Sequence, residues 1–159
     1  MWCEENGPPQ HIFLTNRLHD RDSFEIAATL NAKVWCNRSS LHEFEKDQRV
    51  ELFNHGDDLP GGVRALEVGV LCPEETALYI PLAGGILAIA DAIVRDGDDL
   101  GFVPDYLLGD DPEDVKRGLR EVFTRHLDID FDHLLFAHGS PWIGGAKEGL
   151  RRFLERLQI

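Results

Sequence analysis

Two short apolar runs in this chain stop on residues able to hold a metal ion or a proton. Ile86-Leu87-Ala88-Ile89-Ala90 ends on Asp91, and His133-Leu134-Leu135-Phe136-Ala137 ends on His138-Gly139. A third run, Ile12-Phe13-Leu14-Thr15, leads into Asn16-Arg17-Leu18-His19-Asp20-Arg21-Asp22. Short apolar strands that give way to polar residues are how sheets present chemistry along one edge. Three such endings predict an active-site rim, working or decayed.

The order of elements predicts an α/β domain. After the strand at 12–15, Phe24, Ile26, Ala27 and Ala28 suit a short amphipathic helix over Ser23–Leu30, with Asp22 or Ser23 as its cap. Lys33–Cys36 reads as a strand, completing a strand–helix–strand step. Ser40-Leu41-His42-Glu43 has capping-box spacing and predicts one helical turn. Val50–Phe53 follows as a strand and Asp58-Leu59-Pro60-Gly61-Gly62 as a turn. Val63–Leu71, Ala77–Leu82 and Ile86–Val94 read as consecutive strands, with Gly84-Gly85 turning a tight hairpin. Asp111-Pro112 opens a helix carrying Val115, Leu119, Val122, Phe123 and Leu127 at helical spacing. The strand at 133–137 comes next, and a last helix from about Ala146 places Leu150, Phe153, Leu154 and Leu157 on one face. A chain of 159 residues without repeats or linkers suits a single domain over 1–159.

Charge and cysteine content narrow the function classes. A formal charge of −13 repels phosphate backbones, so nucleic-acid binding through a broad basic face is excluded. The acidic clusters Asp57-Asp58, Asp96 to Asp99 and Asp110-Asp111 read as solvated turns and lack an EF-hand loop. No apolar run is long enough to span a membrane and no basic-then-apolar leader is evident, so a cytoplasmic location is expected. Cys3, Cys36 and Cys72 form no CxxC pair and point to neither a zinc ribbon nor a disulfide framework.

With these residues in view, the chain resembles the metallo-β-lactamase fold superfamily, whose members are mostly metal-dependent hydrolases built as αββα sandwiches. The stretch Leu14–Asp22 stands where that family has Thr-His-x-His-x-Asp-His. Leu87-Ala88-Ile89-Ala90-Asp91 looks like its strand ending on the metal-bridging acid, and Phe136-Ala137-His138-Gly139 like its late Gly-His-Gly strand end. The likeness runs from Ile12 to the end. Matching Thr15 to the family's threonine puts Asn16 and Leu18 at the first two histidines, Asp20 at the aspartate and Arg21 at the next histidine. The stretch Glu67–Pro73, where the middle histidine ligand is expected, holds none. The resemblance therefore implies a divergent member with one dismantled metal position, retaining Asp20, Asp91 and His138.

Such a set of two carboxylates and one imidazole suits a single Zn, Mn or Fe ion, or none. The implied activity is hydrolysis of a small ester, thioester, lactone or phosphodiester, with Asp91 and His138 holding the ion and Asp20 orienting the attacking water. The alternative is a metal-free binding domain in which Arg17, Arg21 and neighbouring acids form a salt-bridged former site. The bland readings make Asp20 or Asp22 a helix cap, Asp91 a turn cap and His138 a loop histidine bonded to backbone. His19 occupies a non-ligand position unless the register slips by one. His11, His42, His55, His126 and His133 form no i,i+4 metal pair, and Cys36 and Cys72 lack a histidine partner. Gly144-Gly145 and Lys147 do not make a phosphate loop, leaving helix packing for the glycines and a core role for Trp142. The family's leading strands are missing before Ile12, so a sheet edge stays open unless a partner covers it or the chain starts further upstream. A homodimer is the expected partner, with a small-molecule ligand at the rim.

Overall fold

The computed structural model describes residues 5–157. Eleven strands and three α-helices among them form two sheets, one hairpin and two outer helical layers. The first sheet holds β1 (His11–Phe13), β2 (Lys33–Asn37) and β3 (Val50–Phe53), all parallel, with β2 in the middle. Helix α1 (Ser23–Leu30) crosses from β1 to β2. The second sheet has six strands: β4 (Asp58–Leu59), β5 (Val63–Glu67), β6 (Thr76–Ile80), β7 (Ile86–Ile89), β10 (His133–Phe136) and β11 (Trp142–Ile143). Its order is β11-β10-β7-β6-β5-β4, and only the β7–β10 pair is parallel. The hairpin β8 (Val94–Asp96) and β9 (Asp99–Gly101) stands apart. Helices α2 (Pro112–His126) and α3 (Ala146–Arg156) complete the chain.

Alternation along the strands sorts the apolar residues into three layers of core. Ile12, Leu14, Val34, Cys36, Val50 and Leu52 face Phe24 and Ala27 of α1. Their neighbours Phe13, Trp35 and Phe53 turn the other way and meet Val63, Ala65, Leu78 and Ala88 between the sheets. The far face of the second sheet, with Leu66, Ala77, Leu87, Ile89 and Leu134, packs on Leu119 and Phe123 of α2 and on Leu150, Phe153 and Leu154 of α3. Helix, sheet, sheet, helix is the expected αββα order. Backbone and side chain also tie the two sheets: Thr76 N donates to Thr15 O at 2.8 Å, and His55 Nε2 lies 3.1 Å from Thr76 Oγ1.

Several boundaries differ from the sequence expectation, each for a local reason. The strand expected over Val63–Leu71 stops at Glu67, because Val68 N and Gly69 N both donate to Glu75 O and Gly69 takes φ +62°. The strand expected over Ile86–Val94 breaks after Ile89, and Val94 opens β8 instead. Asp96–Asp99 is indeed a turn, closing the β8–β9 hairpin. The helical turn near Ser40 begins at Arg38 and is capped by Asn37, whose side chain accepts from Ser39 N. Asp22 is the N-cap residue of α1 but makes no side-chain cap bond, whereas Asp111 caps α2 through Asp114 N as anticipated. Gly144 and Gly145 do not serve helix packing. Both have positive φ, and their N–H groups donate to His133 Nδ1 and Asp132 Oδ1 in the turn before α3. The glycine that packs is Gly149, where a Cβ would come within 2.5 Å of the Trp142 ring. Trp142 lies against the core, as expected. Cys3 lies outside the described residues. No helix among the described residues is long and apolar enough to cross a membrane.

His126, at the end of α2, is buried with its ring perpendicular to that of Phe123 and its Nδ1 unbonded. Burial, with Arg125 assisting, pushes its pKa down to about 4, against the opposing pull of the Glu67 backbone. The folded protein thus keeps His126 neutral while the unfolded chain protonates it below about pH 6.5. Its stabilising effect is full above that pH and is lost as pH falls towards 4. Urea unfolding of wild type and His126→Gln checks this: the wild-type advantage should shrink by about 3 kcal/mol between pH 7 and pH 4. A difference that does not change with pH refutes the assignment.

Candidate metal centre

Parallel pairing of β7 and β10 sets the two strand ends side by side. Phe136 is opposite Ile89, and Ala137 N continues the ladder to Ile89 O at 3.1 Å. Asp91 and His138 therefore leave the sheet as neighbours. From the first sheet, the loop after β1 delivers Asn16 and a 3₁₀ turn over Arg17–His19. Asn16 is buried and does two jobs: its Oδ1 accepts from Leu18 N at 2.9 Å, capping that turn, and its Nδ2 donates to Asp91 Oδ2 at 2.9 Å.

Among the described residues, His19, Asp91 and His138 each offer one donor atom to a group whose atoms all lie within 4.8 Å of one another. His19 Nε2 and His138 Nε2 approach Asp91 Oδ1 at 3.3 and 3.1 Å. Yet Asp91 Oδ1 is buried and makes no hydrogen bond, so these approaches lack hydrogen-bond geometry. Two ligands bound tetrahedrally at ~2.0–2.1 Å from one ion stand about 3.3 Å apart. The unbonded oxygen and the two imidazole–oxygen separations fit a shared cation. Burial lowers the pKa of His19, aided by Arg21 and His138, and outweighs the pull of Asp91. A neutral imidazole keeps a lone pair for a metal.

The other nominated residues are placed elsewhere. Asp20 is not in the group of three, and its Oδ1 accepts from Arg21 N at 2.7 Å. Arg21 is exposed at φ +38°, and among the described residues no ion pair joins it to Asp20 or Asp22. Arg17 is held between the fully buried Glu74, 3.2 Å from its Nε, and Glu43, 3.4 Å from its Nη1. His19, a non-ligand position in the matched motif, stands in the group of three. Sequence reading passed over Glu74 and Glu75, although two acids heading the apolar strand Thr76–Ile80 were a signal of buried carboxylates. Glu75 Oε1 accepts from Ala92 N at 2.9 Å, which bends the chain at Asp91. Burial pushes the Glu75 pKa up to about 7. The remaining histidines have structural partners: His133 joins Ala83 O to Gly144 N, His11 accepts from Trp35 Nε1, and His42 pairs with Glu43. Burial, reinforced by Glu74, pushes the Cys72 thiol up to about 12, and burial also raises Cys36, so neither is a ready nucleophile.

Comparison with solved structures reveals the same architecture. A metallo-β-lactamase, DIM-1, exposed to ceftazidime, matches over 97% of this chain and 71% of its own, with TM-score 0.67 and 16% identity. The chain has the metallo-β-lactamase fold. TTHA1623 in a di-iron-bound form matches over 92% of this chain and 78% of its own, with TM-score 0.66 and 18% identity. ST1585, an archaeal metallo-β-lactamase superfamily protein from Sulfolobus tokodaii, matches over 98% and 72%, with TM-score 0.63 and 14% identity. No family model and no curated protein sequence matches the chain.

Within this metallo-β-lactamase fold, β8 clamps the turn that carries His138. Arg95 N donates to His138 O at 3.1 Å, and its Nη1 donates to Pro141 O at 2.6 Å while the guanidinium lies 4.8 Å over Trp142. Gly139, at φ +108°, lets the two backbones touch: a Cβ there would lie 2.1 Å from Arg95 O. Gly139→Ala should therefore cost about 2–3 kcal/mol in urea unfolding, through both the φ strain and the clash. A loss below about 0.5 kcal/mol, the level of an ordinary surface change, contradicts the clamp.

Proposed function

We propose that the chain is a one-metal hydrolase of a small ester, thioester, lactone or phosphodiester, with His19, Asp91 and His138 holding the ion. The observation that supports it is the buried, unbonded Asp91 Oδ1 facing two imidazole nitrogens. A carboxylate oxygen in that position gains nothing from its surroundings unless a proton or a cation sits there. The nitrogen and oxygen donor set suits Zn, Mn or Fe. A divalent ion in this place supplies Lewis acidity to the oxygen of the scissile group.

The chain's own residues prepare the centre. Asn16 fixes the Asp91 carboxylate by binding its far oxygen, leaving the near one aimed at the histidines. Such outer partners orient a ligand and hold it in one rotamer. His19 stays neutral through burial, and Arg95 holds the backbone of His138. Asp20 follows His19 directly and is nominated by the sequence as a further donor or as the group that orients water.

A second reading, a metal-free binding domain, draws on the Arg17 pairs with Glu74 and Glu43 and on the Asn16–Asp91 bond. These ion pairs and the amide bond neutralise part of the site with protein groups alone. Metal analysis by mass spectrometry on untagged protein separates the two readings. Wild type should carry about one Zn, Mn or Fe per chain, lost in His138→Ala and His19→Ala and kept in Asp20→Asn. Protein that is metal-free and refuses added Zn and Mn leaves the binding domain. Loss in Asp20→Asn with retention in His19→Ala returns the ligand role to Asp20.

A further inference from the structure

The two sheets do not cover each other evenly: three strands make the first and six the second. Thr76 N donates to Thr15 O and Asn16 Nδ2 to Asp91 Oδ2, which sets β1 over β6 and β7. The second sheet then continues through β10 to β11, past the last strand of the first. Burial records this step. On β7, Leu87 and Ile89 face the helices and are 0% and 3% exposed, whereas Ile86 and Ala88 face the other way and are only half-buried. On β10, Leu134 is fully buried and Leu135, beside Ala88, is half-buried. Ile143 of β11, opposite His133 on that same face, is 69% exposed.

Both strands that border the step are sheet edges. Lys33 N donates to Gln10 O and Leu14 N to Trp35 O, so the alternate residues His11 and Phe13 turn their N–H and C=O groups to the open side of β1. Strand β11 ends the second sheet. Phe13 and Trp35 pack against the core between the sheets yet stay half-buried, so the uncovered strip is continuous with that core. Its side chains Ile86, Ala88, His133, Leu135 and Ile143 include no carboxylate, lysine or arginine, in a chain that is 28% charged and carries −13. Over most of its surface such a chain repels its own copy. An uncharged apolar strip is where that repulsion is least and burial gains most.

We infer that this step is an interface between two copies of the chain, closed as a half-lap joint. The strip of each copy lies face to face with the strip of the other, and β1 of each pairs with β11 of the other. A two-fold axis along the strands, midway between the sheets, makes the step self-complementary and covers face and edge together. Strand β1 runs with β7, since both end where Asn16 meets Asp91, and β11 runs against β10. The new β1–β11 pairs are therefore antiparallel, and the three strands of one copy continue into the six of the other. Pairing β1 with β1 is barred, because β10 and β11 project past β1 into the space that the copy's second sheet would need. The same axis sets both candidate metal centres at one end of the pair, and the joint forms with or without an ion in them.

Sedimentation velocity of the full chain between about 5 and 200 μM, with amide hydrogen exchange read at both ends of that range, tests the joint. Wild type should pass from one chain mass to two. Exchange at His11 and Phe13 should slow at least ~tenfold as it does, since those N–H groups gain acceptors on β11. Ile143→Lys alters an exposed side chain, so it should fold normally and weaken association at least ~tenfold by placing a charge in the strip. Tyr106→Lys, at an 80% exposed position beside the Asp105–Lys116 pair, should leave association unchanged. A single chain mass at every concentration overturns the inference: with His11 and Phe13 protected, the chain's own first residues cover the edge, and with them unprotected the edge stays bare. A dimer that Ile143→Lys leaves intact, or that forms without slower exchange in β1, overturns it as well, because the copies then meet elsewhere.

Discussion

The bond from Ala92 N to the buried carboxylate of Glu75 governs where the chemistry of this chain sits. The segment Ile86 to Val94 is apolar enough to continue as one strand, yet it turns sharply after Ile89. Glu75 enters from the neighbouring strand and meets the backbone at the bend. Burial drives the Glu75 carboxyl towards its neutral form, with a pKa of about 7, and at the bend one of its oxygens accepts from Ala92 N. The bend releases Asp91 from the sheet towards His19 and His138. It also carries Ala92 and Ile93 into the core and sets Val94 at the start of the hairpin.

Much of the fold was legible from the residues because short apolar runs are set off by turn residues and helix caps. The runs at 33–36, 50–53 and 77–82 read as strands and lie on β2, β3 and β6, and Asp111-Pro112 marked the start of α2. What escaped was anything fixed by a distant partner. The end of the β7 run depends on Glu75, and the early end of β5 depends on the Glu75 carbonyl. Neither partner leaves a trace in local hydropathy. The two-residue strand Trp142–Ile143 forms because His133 and Leu134 lie open beside it, which no local pattern encodes.

The centre was legible in part for a related reason. Asp91 and His138 were visible because each follows a run that must be a buried strand, and adjacent parallel strands bring their ends together. The loop after β1 has no such ruler. There a tight 3₁₀ turn capped by Asn16 advances the chain and brings His19 to Asp91, while Asp20 turns to its neighbour's backbone. Motif spacing assumes a fixed loop shape, which the spacing alone does not supply. Asn16 stands where the resemblance places a histidine, and its amide holds Asp91 directly.

The contributors to the centre come from both halves of the sandwich: Asn16 and His19 follow the three-stranded sheet, Asp91 and His138 the six-stranded one. Any cation or ligand held among them would act as a rivet between the sheets, beside the backbone bond from Thr76 to Thr15. Occupancy and folding then become linked quantities, because separating the sheets must also dismantle the centre. The mouth of the sandwich is both its chemical edge and its mechanical seam, and whatever fills the one tightens the other.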